Sequence, residues 1–192
     1  MMRTVSACLG AGSLLLLAAC TTTAPVATAP AAPTPSATIS TAKEASVALA
    51  SASGSRVSGT LTLTPLPGGV HVAGQVGGLP ANGRFGFHVH EKGDCSAVDA
   101  TSAGGHFNPA ATAHGRAGAG VHHGGDMDNL TSNADGIANV DAHLHGVTLG
   151  GAAANDIAGR AVIVHADADD YRSQPTGNAG ARVACGVIRV VR

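Results

Sequence analysis

His88 and His90 stand at i and i+2 in the stretch Gly86-Phe87-His88-Val89-His90-Glu91. In an extended segment side chains alternate between faces, so both imidazoles fall on one face while Phe87 and Val89 turn the other way, into a core. Two imidazoles held side by side on a strand make half of a metal site. The stretch that follows carries His106, His114, His122, His123 and Asp126. His123 and Asp126 are separated by Gly124-Gly125, which lets the backbone fold tightly between them. Three imidazoles and one carboxylate satisfy tetrahedral zinc. The flatter nitrogen set that copper(II) prefers is offered by His88, His90, His106 and the distant His165. Any one of these histidines, taken singly, is more often a satisfied surface or core group than a ligand. The set together points to a metal, and ten histidines in 192 residues are the strongest bias of the chain toward chemistry.

Other function classes are disfavoured. The aromatics are Phe85, Phe87, Phe107 and Tyr171, too few for a platform that stacks single-stranded nucleic acid. A formal charge of −1 provides no basic field for duplex binding.

The elements that must position the histidines follow from the pattern. Residues 1–19 read as an export signal, with Arg3 ahead of an apolar run from Leu9 to Ala19 that is too short to span a bilayer. Leu17-Ala18-Ala19-Cys20 resembles the lipobox of bacterial lipoproteins, in which the cysteine becomes the lipidated first residue of the mature chain. Residues 20–41, rich in Ala, Pro and Thr and without periodicity, then form a tether. From about Ala42 the period becomes 2. Strands are predicted at Ala45–Leu49, Val57–Thr64, Val70–Val76, Arg84–His90, Asp126–Thr131, Gly136–Asp141, Ala161–His165 and Cys185–Val191. Eight strands with 27 glycines in the chain and no convincing amphipathic helix indicate one antiparallel sandwich or barrel over residues 42–192. Two long stretches, Lys92–Gly125 and Ala166–Arg182, fit no strand, and loops of that length in a compact domain are usually functional.

Four motifs at compatible spacings resemble copper/zinc superoxide dismutase, in its exported bacterial branch. They are Gly86–Glu91, Gly105-His106-Phe107-Asn108-Pro109, Val164–Asp170, and Gly177–Val187 with its Arg182-Val183-Ala184-Cys185-Gly186 core. The branch signature Glu91-Lys92-Gly93-Asp94-Cys95 follows the histidine strand. The resemblance implies an eight-stranded Greek-key sandwich with two long loops, and an enzyme that dismutates superoxide to dioxygen and hydrogen peroxide. It implies a copper ion on His88, His90, His106 and His165. It implies a zinc ion on His106, His114, His123 and Asp126, with His106 bridging the two metals. Either His122 or His123 suits the zinc position, and His123 is chosen because the family keeps histidine three residues before aspartate. Asp169 matches the aspartate that bridges a copper histidine and a zinc histidine, here His88 and His114. Arg182 matches the arginine beside the copper, where an always-charged guanidinium holds a small anion. His106 is expected to part from reduced copper and return a proton.

Cys8 falls in the signal and Cys20 at the anchor, which leaves Cys95 and Cys185 in the folded domain, and export makes a disulfide between them natural. The expected location is the periplasm or cell envelope, with attachment to the membrane through Cys20 and a homodimer as a further option. The rival reading is a non-enzymatic copper or zinc scavenger, which would need neither Arg182 nor a bridging His106. His71, His143 and His145 match no ligand position.

Overall fold

The computed structural model describes residues 39–192. The expected signal, the lipobox cysteine Cys20 and nearly all of the tether lie outside the described residues. Strands β1 (Ala45–Ser51), β2 (Ser58–Leu66) and β3 (Gly69–Gly77) are followed by β4 (Arg84–Phe85) and β5 (Phe87–His90). After the first long loop come β6 (Leu130–Thr131), β7 (Ala138–His145), β8 (Ala161–His165), β9 (Arg182–Val187) and β10 (Arg189–Val190). The one helical element among the described residues is a 3-10 turn at Thr101–Ala103.

All strand pairs are antiparallel, in the order β5-β8-β9-β1-β2-β3-β7, with β10 beside β1 and β4 paired to β6. β1 is shared between two halves of the curled sheet. Its residues Ala45–Leu49 pair with β2, while Ala50 and Ser51 pair with β9. The long crossings that put β7 beside β3 and β8 beside β5 give Greek-key connectivity. Between the halves lies the core: Val47, Leu61, Leu63, Val70, Val72, Phe87, Leu144, Val162 and Val164 are fully buried. Each such side chain contributes roughly 1.5–3 kcal/mol by leaving water.

The expected strands are present with shifted limits. The single strand expected over Arg84–His90 is broken at Gly86, so that Phe85 pairs with Leu130 while Phe87 pairs with Val164. Both halves keep period 2, which is why alternation alone reads them as one. Cys185–Val191 is likewise interrupted, at Ile188, whose N–H bonds Arg160 O. The strand expected from Asp126 contracts to Leu130–Thr131, because Asp126 itself is drawn to β5. The strand expected over Gly136–Asp141 runs on to His145, held by eight pairs to β3.

Candidate metal centre

β5 has two edges. One pairs with β8, and the other receives two segments of the loop between β5 and β6. Phe107 N–H donates to Val89 O at 2.8 Å, Val89 N–H to Gly125 O at 2.8 Å, and Gly125 N–H to Phe107 O at 2.8 Å. His90 thereby faces His106, and His88 faces Asp126. Gly125 is required here, since a Cβ on it would lie 2.2 Å from Val89 O. Arg160 supports the same loop end, its guanidinium 3.8 Å over the Phe107 ring. His88 and His90 stay on one strand face, as the alternation requires, yet they are as buried as Phe87 and Val89 because the loop covers them.

Seven side chains form two clusters. His88, His90, His106 and His165 bring ligand atoms within 4.8 Å of one another, and so do His106, His114, His123 and Asp126, with His106 common to both. All seven residues are buried. Several contacts have the spacing of two ligands on one ion. His90 Nε2 lies 3.3 Å from His165 Nε2, and His106 Nδ1 lies 3.4 Å from His123 Nδ1. Two nitrogens about 2.05 Å from a tetrahedral ion stand about 3.3 Å apart. His114 Nδ1 and Asp126 Oδ2 are 3.0 Å apart without hydrogen-bond alignment.

The residues fit metal ions on a further ground. His88 Nδ1, His106 Nε2 and His114 Nδ1 are buried with no hydrogen-bond partner. An orphaned polar atom of this kind costs about 1–3 kcal/mol. Thr148 Oγ1 is the one other such side-chain atom among the described residues; the remaining three are all ring nitrogens of cluster members, and in His88 and His114 the opposite nitrogen is held by a carboxylate.

Asp169 provides that carboxylate. Its Oδ2 lies 2.8 Å from His88 Nε2 and its Oδ1 2.9 Å from His114 Nε2, so one side chain orients a ring in each cluster. Burial pushes the Asp169 carboxyl up, but hydrogen bonds from His114, His88 and the Tyr171 N–H outweigh it and hold the group below the usual carboxylate range. Asp126 is likewise buried and likewise held well below that range, by His106, His114 and His123. Burial, reinforced by neighbouring histidines, lowers His106 to about 4 and His165 to about 3, and His90 falls well below 6.5 for the same causes. Those three rings are neutral near pH 7, with lone pairs free to ligate. Burial also lowers His114, yet Asp126 and Asp169 override it and raise the ring to about 9. Its position between two carboxylates favours positive charge there, which a cation held at Nδ1 would supply in place of the second proton.

Arg182 heads β9 and is half-buried. Its Nη1 donates to Ala100 O at 2.7 Å and its Nη2 to Gly104 O at 2.6 Å. Gly104 O also accepts from His90 Nδ1 at 2.9 Å, which ties the guanidinium to a ring of the first cluster. A disulfide joins Cys95 and Cys185 with Cα atoms 5.8 Å apart, fastening the segment that presents both carbonyls to β9.

His122 joins neither cluster; its Nδ1 donates to His123 O at 2.7 Å. Three supporting residues escape sequence reasoning. Gln174 grips the His114 backbone at both ends, Oε1 accepting its N–H at 2.9 Å and Nε2 donating to its C=O at 3.0 Å. Asn129 does the same for Asp169, at 2.8 and 2.9 Å. Gly177, at φ +69°, lies so close that a Cβ would stand 1.8 Å from Asp169 Oδ1. The cue for Gly177 was its place in the last motif; Gln174 and Asn129 carry none.

The family model described as copper/zinc superoxide dismutase (SODC) matches residues 57–188. The chain is 39% identical over 150 residues to a Cu-Zn superoxide dismutase of Caulobacter vibrioides, covering 76% of this chain and 86% of that protein. It is 40% identical over 136 residues to Cu-Zn superoxide dismutase 2 of Aquifex aeolicus, covering 69% and 80% respectively. Among solved structures it resembles the clock protein EA4, with a TM-score of 0.70 and 39% identity over 80% of this chain and 98% of that one.

Proposed function

The chain belongs to the copper/zinc superoxide dismutase family, and from that premise we propose which residues hold each metal and which serve the substrate. The protein dismutates superoxide to dioxygen and hydrogen peroxide, with copper and zinc as its cofactors. A bound copper ion supplies the reversible one-electron exchange, and a bound zinc ion supplies fixed positive charge and structural ligation. In this reading His88, His90, His106 and His165 hold the copper, and His106, His114, His123 and Asp126 the zinc. The observation that carries the assignment is the convergence of six buried histidines and Asp126 into two clusters that share the His106 ring. Asp169 fixes the tautomers of His88 and His114: a carboxylate only accepts, so the proton of each ring sits on Nε2 and the orphaned Nδ1 is left to ligate.

Arg182 receives the substrate. One N–H of each terminal nitrogen is committed to a backbone carbonyl, so the fork cannot turn, and the remaining donors attract the superoxide anion. Since the chain as a whole carries a charge of −1, attraction is local and not a property of the net charge. His106 Nε2, facing the first cluster with no other partner, is the atom at which a proton is held and returned to the reduced substrate.

Residues 1–19 are read as an export signal, Cys20 as the lipidated anchor, residues 20–41 as its tether and 42–192 as the enzyme, placed in the periplasm or at the cell envelope. The Cys95–Cys185 disulfide supports an oxidising compartment. Mass spectrometry of the mature chain would show Cys20 as a diacylated N-terminus, and sedimentation would show whether two copies associate.

The test is superoxide removal by the metal-loaded protein against an Arg182→Ala variant of equal copper content. Losing a charged donor to the substrate costs about 1.5–3 kcal/mol, so turnover should fall on the order of tenfold or more. Unchanged turnover would remove Arg182 from the reaction. Bound copper with turnover no faster than that of a histidine-rich peptide would overturn the whole assignment and leave a scavenger.

A further inference from the structure

Four histidines lie outside both buried clusters, and they gather on one surface. On β7 the residues Asp141, His143 and His145 are exposed and alternate with the inward side chains Val140 and Leu144. His143 and His145 therefore repeat, on an outer sheet face, the i, i+2 spacing that His88 and His90 have on β5. Their ring centroids are 4.4 Å apart and inclined by 35°. His122 reaches the same place from the loop between β5 and β6, its ring 6.3 Å from that of His145. Ring pairs within the two buried clusters span 4.0 to 6.5 Å. Unlike the ligand atoms of those clusters, those of His122, His143 and His145 do not all lie within 4.8 Å of one another, so a shared ion requires the exposed His143 and His145 rings to turn toward it.

We propose that His122, His143 and His145 form an auxiliary site for a divalent transition metal ion, zinc or copper, separate from the two buried clusters. Three imidazoles suit either ion, and the exposure of His143 and His145 leaves solvent to complete the coordination. The tautomer of His122 is already set for the task. A carbonyl oxygen only accepts, so the bond from His122 Nδ1 to His123 O keeps the proton on Nδ1 and leaves Nε2 bare. His90 uses the same arrangement, with Nδ1 on Gly104 O and Nε2 turned into the first cluster. The Nε2 edge of His145 lies over Gly118 of the loop that carries His122. Burial first, and then the neighbouring His143 and His122, hold His145 below 6.5, so a proton competes weakly for it. His71, across from His143 on β3 with its Nε2 on Asp141 Oδ1 at 2.7 Å, is left outside the ligand set because its ring forms no close pair with the other three, which pair as His143–His145 and His122–His145.

The experiment starts from the holoenzyme with copper and zinc already bound and titrates it with zinc chloride by calorimetry, with elemental analysis after gel filtration. One further zinc ion per chain is expected. A His143→Ala/His145→Ala double variant should bind it at least about tenfold more weakly. His143→Gln alone, which keeps a polar side chain on the exposed strand, should weaken it too, and thermal unfolding of each variant checks the fold. His71→Ala, on the same face, should keep the ion within about twofold. No further ion, a further ion undiminished in the double variant, or an equal loss in His71→Ala would each overturn the proposal.

Discussion

Asparagine at position 169 would keep the shape of the side chain and remove one of two acceptors. Asp169 Oδ1 takes His114 Nε2 at 2.9 Å and the Tyr171 N–H at 2.7 Å, while Oδ2 takes His88 Nε2 alone at 2.8 Å. In Asp169→Asn the amide oxygen belongs where two donors meet it, so the NH2 group falls opposite His88. Donor then faces donor. His88 relieves the clash by moving its proton to Nδ1, the orphaned atom turned into the first cluster, and so loses the lone pair it would offer there. The backbone of residue 169 stays in place, because Asn129 holds its N–H and C=O. Losing such a partner typically weakens metal affinity by about 10–100-fold, or roughly 1.4–2.7 kcal/mol. The loss should fall on copper, with zinc spared, since His114 keeps its acceptor. Competition against a chelator, with copper and zinc counted separately, reads this directly. Zinc weakened more than copper, or both unchanged within about twofold in a folded variant, would refute the reasoning.

Gly177→Ala would press a methyl group against Asp169 Oδ1 and leave it 2.7 Å from His114 Nε2, at a φ of +69° that side chains avoid. Overpacking of this kind costs about 1–3 kcal/mol, so the thermal midpoint should drop and zinc content fall together; intact zinc binding would show that the site yields more easily than the contacts imply. Removing the disulfide with Cys95→Ala/Cys185→Ala frees a loop of 90 residues and should cost about 4–5 kcal/mol in urea unfolding, on the entropic account. Because the freed segment carries Ala100 and Gly104, turnover should also fall at constant copper content, whereas full turnover would mean that the two carbonyls hold Arg182 without the bridge.

How much of this was legible in the sequence depends on the range over which each feature is encoded. His88 and His90 are local: period 2 puts them on one face wherever the strand lies, and the pattern reads without a fold. That the face is buried is not local, for it takes Phe107 and Gly125 bonding to Val89 to fold the loop over it. The break at Gly86 was illegible for a related reason. Phe85 and Phe87 both point inward on either side of it, so alternation is preserved while the pairing partner changes from β6 to β8. Gln174 and Asn129 were invisible because their work is done through backbone groups, 60 residues away at His114 and 40 at Asp169. An amide side chain on a loop advertises nothing about which peptide it will grip. The same distinction separates the two sets of histidines. Four of the six in the buried clusters, His88, His90, His106 and His165, sit in motifs whose neighbours carry information, such as Gly105-His106-Phe107 against β5. His143 and His145 sit in an ordinary exposed strand, and only the eight-pair register with β3, together with the path of the loop to His122, sets three rings on one patch. A surface site assembled from separate elements leaves no contiguous trace, so a reading of motifs assigns those residues nothing while the fold gives them a common location.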